Sequence, residues 1–212
     1  AKKQVVKDVN IDMFAGPSEI LIVADKSNNP EWVAYDMLAQ SEHDESAQSI
    51  LITDDDLFAK EVSNNIKSII KTSDRSDIIK KSINRNGLII IIKDLKKSYD
   101  LINKIAPEHL SLMFKDAQKI EENITNAGVI FMGKWTPEAM GDYIMGPSHV
   151  LPTNGASKNS SGLSVYNFIK KISSIKNSQK TIKILGPSAR IIAECEGLDA
   201  HAKSIQVRLN GK

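Results

Sequence analysis

Short apolar runs separated by amphipathic stretches recur along this chain, and their spacing predicts alternating strands and helices. Ile20-Leu21-Ile22-Val23-Ala24 is the first continuous apolar run, entered through the turn residues Gly16-Pro17-Ser18. Asn29-Pro30-Glu31 then reads as a helix start, with proline at the first position and an acidic first turn. Trp32, Val33, Tyr35, Asp36, Leu38, Ala39, Gln40 and His43 carry that helix onward. Ser49 to Thr53 predicts the next strand, and Asp54 to Asp56 cap a helix reaching about Lys71. A weaker helical stretch, 77–83, precedes a strand over Leu88 to Ile92. Asp94 opens a helix to about Ile105, followed by a strand at His109 to Phe114, a helix at Ala117 to Thr125 and a strand at Val129 to Met132. Strands and helices alternating at these lengths predict an α/β fold with right-handed crossovers and a mainly parallel sheet.

The pattern changes after Gly133. Residues 134–163 are rich in Gly, Pro, Ser and Asn without clear periodicity, and a loop that long is usually functional or disordered. Beyond it, Val165 to Ile175 and Ala189 to Ala193 read as helices, and Ser204 to Leu209 alternates like a half-exposed strand. The expected organisation is an α/β domain over 1–157 and a mostly helical arm with a terminal strand over 158–212.

Composition narrows the class. The chain has 212 residues, 41% hydrophobic and 25% charged, with 28 basic and 26 acidic side chains spread along it. Lysine pairs such as Lys80-Lys81 and Lys170-Lys171 have no interleaved aromatic residues, so they read as solvated faces rather than a nucleic-acid groove. The run Leu88 to Ile92 is far short of the ~20 residues a membrane span needs. Cys195 is the single cysteine, which rules out an internal disulfide and fits a cytoplasmic protein. No glycine-rich dinucleotide fingerprint, phosphate-binding loop, Cys-x-x-Cys or His-Glu-x-x-His occurs.

Candidate chemistry gathers around the four histidines. His43 lies in Gln40-Ser41-Glu42-His43-Asp44-Glu45, and His109 in Ala106-Pro107-Glu108-His109. His149 follows Gly146-Pro147-Ser148, and His201 follows Glu196-Gly197-Leu198-Asp199-Ala200. Imidazole beside carboxylate serves metal ligation and proton transfer near neutral pH. Gln40 and His43 are three apart on one helix face and could share a cation, or could be ordinary polar residues at a helix end. Glu108 and His109 stand at a helix-to-strand passage, where adjacent side chains of an extended chain point apart. Asp142, in Gly141-Asp142-Tyr143, is a carboxylate ligand candidate or a turn residue.

Together these segments carry a resemblance. Asp12 to Leu21, Asp36-Met37-Leu38-Ala39-Gln40-Ser41-Glu42-His43, Ala106-Pro107-Glu108-His109-Leu110, Gly141-Asp142-Tyr143, Ser148-His149-Val150-Leu151-Pro152-Thr153 and Gly197-Leu198-Asp199-Ala200-His201 resemble histidinol dehydrogenase, in that family's order and across the whole chain. The family's proteins are about twice this long, so the chain resembles their C-terminal half. The resemblance implies an incomplete Rossmann-like fold and oxidation of L-histidinol to L-histidine through an aldehyde, with two NAD molecules and one zinc ion. It implies zinc ligands Gln40, His43, Asp142 and His201, a mixed N and O set. It implies Glu108 and His109 as the acid/base pair, His109 taking the alcohol proton and Glu108 activating water. Ser18, His149 and Glu196 join Gln40, His43, His109, Asp142 and His201 as substrate contacts.

It further implies a homodimer whose C-terminal arm crosses over, so that Glu196 and His201 complete the partner's site. No NAD-binding residue is identified, since those contacts are expected in the N-terminal half, and the 212 residues alone are expected to oxidise histidinol poorly. Two rivals stand beside this reading: a non-catalytic zinc-binding or dimerisation module, and a zinc hydrolase using Glu108 to activate water.

Overall fold

In the computed structural model, which describes residues 2–9 and 11–211, five strands form one parallel sheet. They are β1 (Glu19–Ala24), β2 (Gln48–Thr53), β3 (Gly87–Ile91), β4 (His109–Met113) and β5 (Val129–Met132), in the order β3-β2-β1-β4-β5. Every neighbouring pair is parallel, as the alternating pattern predicts. Helices α2 (Pro30–Ser41), α3 (Asp56–Ile70), α4 (Ser76–Asn86), α5 (Tyr99–Ile105) and α6 (Gln118–Glu121) fill the connections, with α1 (Lys2–Val5) before β1 and α7 (Glu138–Tyr143) after β5.

The two faces of β1 explain the layering. Ile20, Ile22 and Ala24 pack with Val33, Met37, Leu38, Phe58 and Val62 on the α2–α3 side. Leu21 and Val23, pointing the other way, pack with Ile102, Leu110, Leu112 and Ile120 on the α5–α6 side. Both faces of β1 are therefore covered, which is why its sequence is continuously apolar rather than alternating. Helix starts follow the capping logic: Asn29 accepts from Glu31 N–H at 2.8 Å, and Asp55 accepts from Leu57 and Phe58 N–H at 3.0 and 2.9 Å.

Chain order reverses between β1 and β4, the switch point at which open α/β sheets usually bind ligands beyond the carboxyl ends of the strands. At this edge the turn after β1 is tied to the end of β4. Asn28 is buried and donates from Nδ2 to the Met113 carbonyl oxygen, while the Asp25 carboxylate accepts from Ser27 and Lys115 N–H. The opposite, amino edge of the same two strands is left to build a site.

Several elements differ from the sequence pattern. The predicted helix 94–105 is a short turn of 3-10 helix (Leu95–Lys97) followed by α5, and α6 is a single turn instead of a helix through Thr125. The predicted helix 165–175 is reduced to a 3-10 turn, Val165–Phe168, with no regular structure over 169–178. Ile172 and Ile175 there are 81% and 92% exposed, and a short helix without an apolar surface to rest on is marginal in water.

The terminal strand expected at Ser204 to Leu209 is instead part of helix α9 (Asp199–Leu209). None of the described strands pairs with it, and a helix satisfies its own backbone groups. Its partner α8 (Gln179–Cys195) begins well before the predicted Ala189, because Ser178 caps it through Thr181 N–H at 3.1 Å. These two helices form a hairpin, Leu209 lying close against Gly186. The chain divides into two compact units, Ala1–Phe168 and Ile169–Lys212. No described helix is long and apolar enough to cross a membrane.

Candidate functional site

The amino edge of β1 and β4 collects the charged and polar groups that the core cannot hold. The register pairs Ile20 with His109, so Glu19 and Glu108 stand side by side just where the two strands begin. Glu108 accepts the Glu19 N–H at 2.9 Å through Oε2, and its carboxylate also lies 3.5 Å from His109 Nδ1. Alternation along an extended chain would send these neighbours apart, but Glu108 precedes the strand proper and turns back toward the ring. The backbone leads in through Ala106, a left-handed residue (φ 56°) that ends α5 before Pro107. Gly128 brings β5 beside this segment; a Cβ there would stand 2.5 Å from the Glu108 carbonyl oxygen, too close for any side chain.

His109 has a defined tautomer. Its Nδ1 lies 2.9 Å from the Glu19 carbonyl oxygen, which can only accept, so Nδ1 carries the hydrogen. Nε2 is then a lone-pair acceptor, and it is buried with no hydrogen-bond partner among the described residues. It faces Glu138 Oε1 at 3.6 Å, itself buried and unpartnered. Gln40 Oε1, on the buried face of α2, is a third orphan acceptor. Buried acceptors left without donors are rare, and a cation or a substrate donor satisfies them.

Asp142 completes the cluster. His109, Glu138 and Asp142 each offer one ligand atom, all within 4.8 Å of one another. Helix α7 carries both carboxylates, and it lies so tightly on β5 that a Cβ at Gly141 would fall 2.5 Å from the Phe131 ring. His43 follows the end of α2, exposed, with its N–H donating to Gln40 O at 3.3 Å.

The electrostatics follow from burial. Desolvation pushes the Glu108 carboxyl up to about 7, partly offset by the Glu19 N–H and reinforced by the charges of Glu19 and Asp142. Desolvation also raises Glu138, with Asp142, Glu108 and Asp36 adding repulsion. Burial lowers His109, against the opposing pull of the Glu19 carbonyl and Asp142. At neutral pH the arrangement holds a neutral imidazole with its free nitrogen turned toward carboxyl groups, next to a carboxyl poised to gain or lose a proton. That is equipment for acid/base work.

The remaining sequence candidates fall in three places. Ser18 precedes β1, half-buried, and its carbonyl accepts from Gln48 N–H at 2.9 Å. His149 is exposed in the connection after α7. That connection is anchored to the amino edge, since Asn154 N–H donates to Glu19 Oε1 at 2.8 Å and Ser157 Oγ to the Ala106 carbonyl at 2.9 Å. Glu196 and His201 belong to the second unit, at exposed positions after α8 and in α9. Glu138 and Glu19 are site residues that sequence reasoning missed. Glu138, one helical turn before Asp142, carried the only signal: a carboxylate pair spaced to share a helix face.

A family model described as histidinol dehydrogenase matches residues 1–209. The chain belongs to the histidinol dehydrogenase family. It is 49% identical over 211 residues to histidinol dehydrogenase 1 of Trichormus variabilis, covering 100% of this chain and 49% of that protein. Histidinol dehydrogenase of Brucella suis is 48% identical over 210 residues, covering 99% and 49%. The crystal structure of histidinol dehydrogenase from Elizabethkingia anophelis superposes with a TM-score of 0.93 at 38% identity, over 98% of this chain and 48% of that one. The chain thus spans about half the length of these relatives.

Proposed function

We propose that this chain supplies the metal-binding and proton-transfer half of a histidinol-oxidising enzyme, with Glu108 and His109 as the acid/base pair. The observation that carries the reading is His109: an imidazole whose tautomer is fixed by the Glu19 carbonyl and whose unpartnered Nε2 faces buried carboxyl groups. A substrate alcohol placed at Nε2 would lose its proton to that lone pair as its carbon is oxidised. Glu108, held near neutrality by burial, then suits the removal of a proton from the water that hydrates the aldehyde intermediate.

Gln40, His43 and Asp142 are the residues of this unit assigned to zinc. Their fit rests on the buried, orphaned Gln40 Oε1 and on Asp142 lying among the acceptors of the cluster. The set is a mixed nitrogen-and-oxygen one suited to a borderline metal. Bound zinc would act as a Lewis acid toward the substrate oxygen. His201 is assigned as the fourth ligand, and Glu196 and His149 with Ser18 as substrate contacts; Glu196 and His201 would act in the site of a second copy. Their exposure in a separate helical hairpin supports that role. The hydride acceptor, NAD in this reading, is assigned no residue here, because its contacts are expected mostly in the N-terminal half.

Histidinol, zinc and NAD supplied to the chain together with the N-terminal half of the Brucella suis relative should give NADH, whereas the chain alone should give little. No NADH above background from the combined halves, with both shown to be folded, would refute the assignment.

A further inference from the structure

Glu138 has no part in the site as the resemblance draws it, yet its position is costly. It opens α7 after Pro137 and is only 4% exposed. One helical turn on lies Asp142, with a carboxylate oxygen within 4.8 Å of a Glu138 carboxyl oxygen. Two acidic side chains at i and i+4 repel on any helix, and burial enlarges the cost unless the groups are bridged. Among the described residues Oε1 of Glu138 has no hydrogen-bond partner, and it stands 3.6 Å from His109 Nε2. An apolar side chain of similar length would fill the space without these penalties. The carboxyl group is therefore placed for what it does to its two neighbours.

We propose that Glu138 is the outer-sphere positioning residue of this site, fixing the orientation of the Asp142 carboxylate and bounding the space in front of His109 Nε2. The inference rests on the zinc reading above, in which Asp142 is a ligand. Groups that orient metal ligands typically cost about 10- to 100-fold in metal affinity or activity when removed. What positions Asp142 is reach and hydrogen bonding, so the effect depends on the length and polarity of the side chain.

Zinc titration of the 212-residue chain against a competing chelator tests this, using Glu138→Gln, Glu138→Leu and Glu138→Asp with thermal unfolding as the folding control. Glu138→Gln should bind zinc within about threefold of wild type, because its amide reaches and hydrogen-bonds Asp142. Glu138→Leu, which cannot hydrogen-bond, and Glu138→Asp, one methylene shorter, should each bind about 10- to 100-fold more weakly. The absorption bands of the cobalt-loaded Leu and Asp variants should shift, reporting a displaced ligand. Leu and Asp variants equal to wild type in affinity and spectrum would overturn the positioning role. So would an Asp variant that binds normally beside a Gln variant that does not, since charge would then matter rather than reach. If the Leu variant fails to fold, the Asp and Gln pair decides. Wild-type protein that binds no zinc, with Asp142→Ala unchanged from it, marks failure of the zinc reading itself and takes this inference with it.

Discussion

Replacing His109 with alanine is expected to slow NADH formation from histidinol by about 100- to 10,000-fold, the usual contribution of a positioned general base, while zinc content stays near that of the unsubstituted protein. The size follows from how specialised the ring is. The Glu19 carbonyl takes the Nδ1 hydrogen at 2.9 Å, so Nε2 alone can accept a proton, and none of the described residues satisfies it. Burial keeps the free ring neutral and ready to accept. Steady-state kinetics on the reconstituted halves, with metal analysis on the same samples, checks both parts. A rate within threefold of the unsubstituted protein removes His109 from the proton-transfer step. Loss of zinc together with rate would instead make His109 a ligand, alongside Glu138 and Asp142, whose ligand atoms lie within 4.8 Å.

The second large effect is on stability. A carboxyl at 4.5 when unfolded and about 7 when folded binds more protons in the folded state across that window. The slope of unfolding free energy with pH is then negative, so this contribution is fully present below about 4.5 and lost as pH rises through about 7. The shift corresponds to roughly 3 kcal/mol. Glu108→Gln keeps the shape and removes the titration. In metal-free protein, denaturant unfolding should show the variant gaining about 2–3 kcal/mol on wild type between pH 5 and pH 8. Parallel pH profiles for the two proteins would mean that Glu108 is not held protonated by burial. The opposite trend belongs to His109: its lowered value withdraws stability as pH falls below 6.5, and the variant leaves that unchanged.

The centre of the sheet was legible because β1, β2 and β4 are buried on both faces. Runs such as Ile20 to Ala24 and Ser49 to Thr53 need no tertiary information to be read as strands, and caps at Asn29 and Asp55 mark the helices that follow. The C-terminal region was not legible for the reverse reason. Ala202, Ile205 and Leu209 fit a helical face as well as Ser204 to Leu209 fits an alternating strand, and only the absence of a pairing neighbour decides. In the site, motif residues Gln40, Glu108, His109 and Asp142 could be named from local sequence. Their assembly could not, because it depends on β1 and β4 being adjacent in register although nearly ninety residues apart in the chain. Glu19 and Glu138 were hidden likewise: the strand register sets the Glu19 carbonyl against His109 Nδ1, and the packing of α7 sets the Glu138 carboxyl against Nε2.

Zinc content tests the central claim most directly. The chain stripped with chelator, reloaded with zinc and desalted should retain close to one zinc per polypeptide when analysed by mass spectrometry. Gln40→Ala and His43→Ala treated identically should retain far less, with unfolding midpoints near wild type. Wild-type protein that retains no zinc, or retention that neither substitution alters, would contradict the account.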